Sequence, residues 1–410
     1  MKVKTLRPLN IFLFIVILVQ ITNLKINFLP RNLILFTFFI GIIFFVIELV
    51  KRKIIDRNFF IALLLLILPL PFLCFSILAN QYFDFDFLKE IIIFNLVSFF
   101  SAYAIVKMNK SLDLTKSIAW FIGICVTFQL LISLLFFLIP SGFQIIATVF
   151  ELTQDADKAI SLNEFRMVGI GAGFFQSGIL NSFVLVMLAG LIVSKNTNNN
   201  EKNVFFLMMI LISLLGLFSS RSTIIGIVIS LSLILVNIYK SKAIVVSSFL
   251  ILALIILLMP MVSGLDKGSR ILELFRFGTQ FILDFNNSQA AKSTGELNDM
   301  WGIWPNSLKT WLMGDVKYRE GELYYMHTDV GYARLIYAVG IMGTFFILVG
   351  QIYLILKLDQ DYFNKQTKYC MILVLLVCEI KGVTLFTPFL SLLFFASIFS
   401  QRRKKLYITS

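Results

Sequence analysis

The feature that most constrains this chain is the recurrence of apolar runs about as long as a bilayer is thick. A helix rising 1.5 Å per residue needs about 20 apolar residues to cross a hydrocarbon layer roughly 30 Å deep. Such runs follow one another almost end to end. Divided at their charged and turn-forming breaks, they give twelve expected spans: 9–24, 32–50, 58–79, 88–106, 117–139, 173–194, 204–219, 223–239, 243–263, 331–356, 370–383 and 385–400. The stretch 204–239 is too long for one crossing and must turn near Ser219, Ser220, Arg221 and Ser222. The stretch 370–400 holds Glu379, Lys381, Gly382 and Pro388 and reads as a short hairpin; taken as one helix, it would make eleven spans. A chain with 59% hydrophobic and 14% charged residues, 44 Phe and a mean hydropathy of +0.90 has lipid as its main solvent. The expected fold is an all-α polytopic membrane protein, with 1–410 a single membrane domain and 264–330 a large loop between the ninth and tenth helices.

Charge supplies the sidedness. More than half of the 36 Lys and Arg fall in alternate short segments: the N-terminus, 51–57, 107–116, 195–203, 240–242, 357–368 and 402–405. Basic loops stay in the cytoplasm, so both ends are expected there. The segments 25–31, 80–87, 140–172, 220–222 and 264–330 then face outward. The net charge of +13 thereby sets topology and meets anionic lipid, and no nucleic-acid partner is expected. Cys74, Cys125, Cys370 and Cys378 lie inside apolar runs, without the spacing of a metal site or a disulfide framework. The first run follows a basic start but offers no small-residue cleavage site, so it reads as a retained helix. The loop 264–330 carries Trp301, Trp304 and Trp311 and an amphipathic stretch at 271–285; loops of that length usually have a function.

Chemistry is sought at the outer boundary. Arg221, flanked by serines at a tight outer turn, is either an arginine snorkelling to the interface or an anion clamp beside the N–H groups that open the next helix. In 324–334, His327 is the only histidine of the chain, Asp329 stands where a helix N-cap belongs, Gly331 allows close approach and Arg334 falls in the second turn. The plain account is a capped helix start with Asp329 pairing Arg334. The sharper one makes His327 or Asp329 a general base and Arg334 an anion contact. Arg166, in Asn163-Glu-Phe-Arg166 ahead of Gly169, Gly171, Gly173 and Gly178, is an anion ligand or a structural residue. Asp84-Phe-Asp86 has the D-x-D form of some metal-dependent transferases, but an outer loop meets no nucleotide sugar, so no metal is expected. Glu379 and Lys381 read as a partly buried pair. Cations at headgroup depth beneath an aromatic loop suit a substrate with a lipid-linked phosphate and a sugar portion in water.

In this layout the chain resembles the O-antigen and capsule polysaccharide polymerases, relatives of the O-antigen ligases among the membrane-embedded glycosyltransferases. The resemblance rests on topology over nearly the whole length. Its local carriers are Phe165-Arg166-Met-Val-Gly169, Ser220-Arg221-Ser222, and Thr328-Asp329-Val-Gly331-Tyr332 leading to Gly340-Ile341-Met-Gly343. It implies a GT-C-type fold in the bacterial cytoplasmic membrane. It also implies an enzyme that takes a glycan from undecaprenyl pyrophosphate and joins it to the non-reducing end of another lipid-linked repeat unit. Arg166 and Arg221, with Arg334, would bind the pyrophosphate, and His327 or Asp329 would serve as base. No cofactor is implied, and a chain-length regulator is among the implied partners. A ligase is the nearest enzymatic alternative. A transporter or flippase of the same lipid-linked glycan is the alternative of another class, and would call for midplane charges and broken helices.

Overall fold

The computed structural model describes residues 8–22, 33–51, 57–109, 111, 113–139, 148–149, 167, 174–237, 274, 299–321, 323–385 and 387–408. Helices occupy every expected apolar run except 243–263, which lies outside the described residues. Arg57–Asn80, Phe85–Met108, Leu114–Leu138, Phe175–Val193, Asn199–Ser219 and Gly331–Leu356 are long and apolar enough to cross a membrane. Asn10–Thr22, Ile34–Val50, Thr223–Val236 and Pro388–Gln401 are shorter apolar helices. Apart from one two-stranded hairpin, the described residues form an all-α protein.

The chain divides into two compact units interleaved in sequence. The first comprises 1–33, 116–286 and 360–374. In it lie α1 (Pro8–Thr22), most of α7 (Leu114–Leu138), α8 (Phe174–Val193), α9 (Asn199–Ser219) and α10 (Thr223–Val236). Helix α8 is buried along nearly all its described length, against α9 and α10. Small residues make that packing possible. A Cβ on Gly226 would stand 2.2 Å from the Ser182 Cα, and one on Gly178 would strike the Ser220 side chain. The Ser182 hydroxyl donates to the carbonyls of Gly178 and Ser222, at 2.9 and 3.0 Å. The turn expected near Ser219–Ser222 is present, since α9 ends at Ser219 and α10 begins at Thr223.

The second unit comprises 34–115, 287–359 and 375–410. It holds α2 (Leu33–Val50), α3 (Arg57–Ile67), α4 (Pro69–Asn80), α5 (Phe85–Ile91), a π-helical segment Ile92–Val97 and α6 (Ser98–Met108). Next come α11 (Leu308–Met313), strands β1 (Arg319–Glu320) and β2 (Leu323–Tyr324), α12 (Gly331–Leu356) and α14 (Thr387–Ile408). Helix α13 (Lys365–Glu379) ends in this unit, and 380–386 separates it from α14, so the expected break in 370–400 is present. Phe59, Phe99, Tyr103, Phe395 and Phe399 pack ring on ring among α3, α6 and α14. Three helices of this unit are irregular where the sequence suggests plain spans. Pro69, which lacks a backbone donor, separates α3 from α4. The Asn95 amide of the π segment donates to the Leu66 carbonyl at 3.1 Å, just before that break. Helix α12 is interrupted at Gly340, with φ 68° and ψ 177°.

Candidate functional site

The site grows from the way 299–330 is seated within the second unit. Ser307 caps α11, its hydroxyl accepting from the Thr310 N–H at 3.0 Å. The chain leaves α11 through Gly314 (φ 72°) and meets α12 at its break. There the Asp315 N–H donates to the Tyr337 carbonyl at 2.6 Å. From α4, the Ser76 hydroxyl donates to the Met313 carbonyl, and the Asn80 amide to the Gly314 carbonyl at 2.8 Å. A carboxylate completes the seat. Asp84 caps α5 through the Asp86 N–H at 2.8 Å and accepts the Tyr318 N–H at 3.1 Å. Both its oxygens are thus used to hold backbone, and no cluster of three metal-ligating side chains occurs among the described residues. Val316 and Tyr318 enter a core of Leu73, Phe87, Ile91, Leu335, Val339 and their neighbours. This part of the loop is fixed by main-chain bonds and burial.

Seating the loop surrounds Arg334. Its guanidinium lies 3.3 Å from the centre of the Tyr324 ring and 4.6 Å from that of Tyr318. The residue is buried, and its Nε has no hydrogen-bond partner among the described residues. Two carboxylates act on it through space, Glu90 on α5 and Glu379 at the end of α13. Glu90 accepts a hydrogen bond from the Tyr318 hydroxyl and stands 3.6 Å from the Arg319 guanidinium. Burial pushes the Tyr318 phenol well above the usual tyrosine range, so it stays protonated and donates. Glu379 is wholly buried; one oxygen accepts from the Thr384 N–H at 2.8 Å and from the Thr384 hydroxyl, and the other has no partner among the described residues. Gly331 permits this convergence, because a Cβ there would stand 2.5 Å from the Gly382 carbonyl and 2.6 Å from that of Glu379.

Beside this cluster is a tryptophan shelf. Trp304 and Trp311 stack at 5.8 Å and 6°, Trp301 lies 5.8 Å from Trp304, and the Trp311 indole donates to the Pro305 carbonyl at 2.8 Å. All three rings are half-buried; Trp301 and Trp304 pack against Val330, Ala333 and Tyr337. No family model, curated protein or solved structure matches the chain.

Of the residues expected to carry chemistry, Arg334 therefore sits in a built environment. His327 is exposed on a 3-10 turn, Tyr325–His327, where it and Met326 adopt left-handed backbone at φ 53° and 58°. Asp329 is exposed too, and it is not the N-cap: Val330 occupies that position, and the Thr328 hydroxyl accepts the Val330 N–H at 3.3 Å. Arg221 is half-buried in the α9–α10 turn of the first unit. The amides of Thr223, Ile224 and Ile225 donate to the carbonyls of Ser220, Arg221 and Ser222, so the open amides expected at that helix start are already used. Arg166 and all of the amphipathic stretch 271–285 except Leu274 lie outside the described residues. Glu379 takes Thr384 where the sequence suggests Lys381, which is exposed. Glu90, Tyr318 and Tyr324 gave no sequence signal beyond an acid inside an apolar run and two tyrosines in a long loop.

Proposed function

We propose that this chain is a bacterial cytoplasmic-membrane glycosyltransferase. In this reading it polymerises lipid-linked repeat units, taking the growing glycan from undecaprenyl pyrophosphate onto the non-reducing end of the next unit. Twelve spans, cytoplasmic ends and an outward-facing 264–330 loop belong to the same proposal. The observation that carries it is Arg334: a buried guanidinium over two tyrosine rings, with a donor that has no partner among the described residues, beside a half-exposed tryptophan shelf. A guanidinium so held suits a phosphate, and flat indole faces suit sugar rings.

The chemistry follows from charge. Breaking the bond between the anomeric carbon and pyrophosphate builds negative charge on the leaving group. A preorganised cation in a partly dry site stabilises that charge without reorganising. Fixing the acceptor hydroxyl against the anomeric carbon removes part of the entropic barrier. The donor is already activated, so the reaction needs no nucleotide. Arg221 is proposed as an anion contact through its guanidinium.

The reading is tested by the surface polysaccharide of a deletion strain. One repeat unit per acceptor, restored to a ladder by the wild-type gene, is the expected result; an unchanged ladder overturns the proposal. Bare acceptor would instead indicate a ligase, which differs only in its acceptor, or a flippase. The flippase is favoured by one observation, the interruption of α12 at Gly340. Vesicles holding the purified chain separate the two, since only a transferase releases undecaprenyl pyrophosphate.

A further inference from the structure

The residues suggested by sequence as base, His327 and Asp329, are exposed, whereas a different carboxylate belongs to the cluster around Arg334. Glu90 lies one residue before the end of α5, where the helix widens into the π segment Ile92–Val97. Such widenings occur often at functional sites, because they turn one side chain out of helical register. Its side chain keeps 26% exposure, and Arg319 beside it keeps 32%, so both are reachable from outside the protein. Tyr318 donates a hydrogen bond to it, Arg319 stands 3.6 Å away, and the charges of Arg334 and Asp86 act on it. Glu379 also acts on Arg334 but is not reachable, since it is wholly buried and its Oε2 is committed to Thr384.

We propose that Glu90 is the base that takes the proton of the acceptor hydroxyl. The assignment rests on the glycosyltransferase reading and names the acceptor-side residue of the same site. As the hydroxyl oxygen bonds to the anomeric carbon, the bond from that carbon to pyrophosphate breaks and the electron pair leaves with pyrophosphate. The hydroxyl proton passes to the Glu90 carboxylate and is later lost to water. The attacking oxygen becomes strongly acidic as its new bond forms, so a carboxylate between two guanidiniums is basic enough. Tyr318, held protonated, orients the Glu90 carboxylate, which its 26% exposure leaves open to the acceptor.

The experiment uses the full-length chain in vesicles, supplied with lipid-linked repeat units extracted from a deletion strain of the host. Released undecaprenyl pyrophosphate and chain length are both read. Glu90→Gln is expected to lower kcat by roughly 100- to 10,000-fold while KM for the lipid-linked donor stays within about threefold. Added formate is expected to restore part of the rate in Glu90→Ala. A Glu90→Gln protein with wild-type kcat, or a loss of donor affinity with kcat retained, overturns the base while the transferase reading stands. A wild-type protein that releases no undecaprenyl pyrophosphate overturns both. Should Glu90→Gln fail to reach the membrane, Glu90→Asp decides, because withdrawing the carboxylate by one methylene should cost about 100-fold in kcat, and an unchanged kcat rejects the role.

Discussion

Gly340→Ala is the sharpest probe of how the segment 308–318 is held. Gly340 has φ 68° and ψ 177°, a region open in practice to glycine alone, so alanine there carries about 1–3 kcal/mol of conformational strain. Space adds to the cost. The new Cβ would stand 2.2 Å from the Leu312 carbonyl oxygen and 2.8 Å from the Met313 nitrogen, both backbone atoms of α11. Relief requires α11 to withdraw, which breaks the bonds from Asp315 to Tyr337, Ser76 to Met313 and Asn80 to Gly314. At about 1 kcal/mol for each bond, strain and undocking together come to about 4–6 kcal/mol. Closing the α12 interruption instead would return about 1 kcal/mol of helix propensity and still release the loop. Gly321→Ala is the control: its φ is 62°, none of the described residues comes within 4 Å of its Cβ, and it should cost only about 1–2 kcal/mol. The assay is thermal unfolding in detergent together with hydrogen exchange of peptides covering 308–318. Equal shifts for the two variants, or full protection of the Asp315 amide in Gly340→Ala, would refute the docking of the loop against α12.

Three further outcomes are expected. Arg334→Met should lower polymer formation by about 100- to 1,000-fold in vesicles, and Arg334→Lys should not rescue it, because a point ammonium does not reproduce a planar cation over two rings. Asp84→Ala removes a helix cap and the Tyr318 N–H acceptor together, and should lower the unfolding free energy by about 2 kcal/mol; Asp84→Asn should recover at most one of the two bonds, because its amide nitrogen cannot accept a backbone N–H. In the first unit, Gly226→Ala should destabilise more than Gly216→Ala. The Gly226 Cβ meets Ser182 backbone at 2.2 Å, whereas the atoms nearest the Gly216 Cβ are side-chain atoms of Asn181 and Thr223 at 2.9 Å, and comparative unfolding midpoints check the order.

Some limits of the helices were legible because hydropathy and turn residues are local signals. The expected 32–50 is Leu33–Val50, 331–356 is Gly331–Leu356, and the 204–239 run turns at Ser220–Ser222. Interruptions inside helices were not legible in the same way. A helix that is apolar all round has no periodicity to be broken, and Gly340 differs in sequence from Gly343 or Gly350 in nothing that marks it for left-handed backbone. The loop segment 312–315 decides it, approaching from nearly 30 residues earlier in the chain. Arg334 stood out in sequence as a cation in a membrane helix. Its surroundings did not, since Glu90 is more than 200 residues away and reads as the charged edge of a span expected to begin at 88. The structure begins that helix at Phe85, which places Glu90 in its second turn.

Why the cluster is charged at all is an energetic question. A buried guanidinium loses several kcal/mol of hydration, and two ring faces return about 2 kcal/mol or more when desolvated. Glu90 and Glu379 offset part of the remainder, yet Arg334 Nε and Glu379 Oε1 have no hydrogen-bond partner among the described residues. Apolar side chains of similar volume would stabilise such a core at least as well. Counted as ionised, Glu90 and Glu379 balance Arg319 and Arg334, and Asp86, the weakest of the charges acting on Glu90, adds negative charge. In the proposed reaction, charge leaving with pyrophosphate adds negative charge beside Arg334 while the proton reaching Glu90 cancels one carboxylate. The two transfers keep the site near balance, and each makes the other easier. A base elsewhere, such as the exposed His327, would leave the pyrophosphate charge to act against an ionised Glu90. That coupling gives both glutamates and both arginines a reason to be where they are, which packing alone does not.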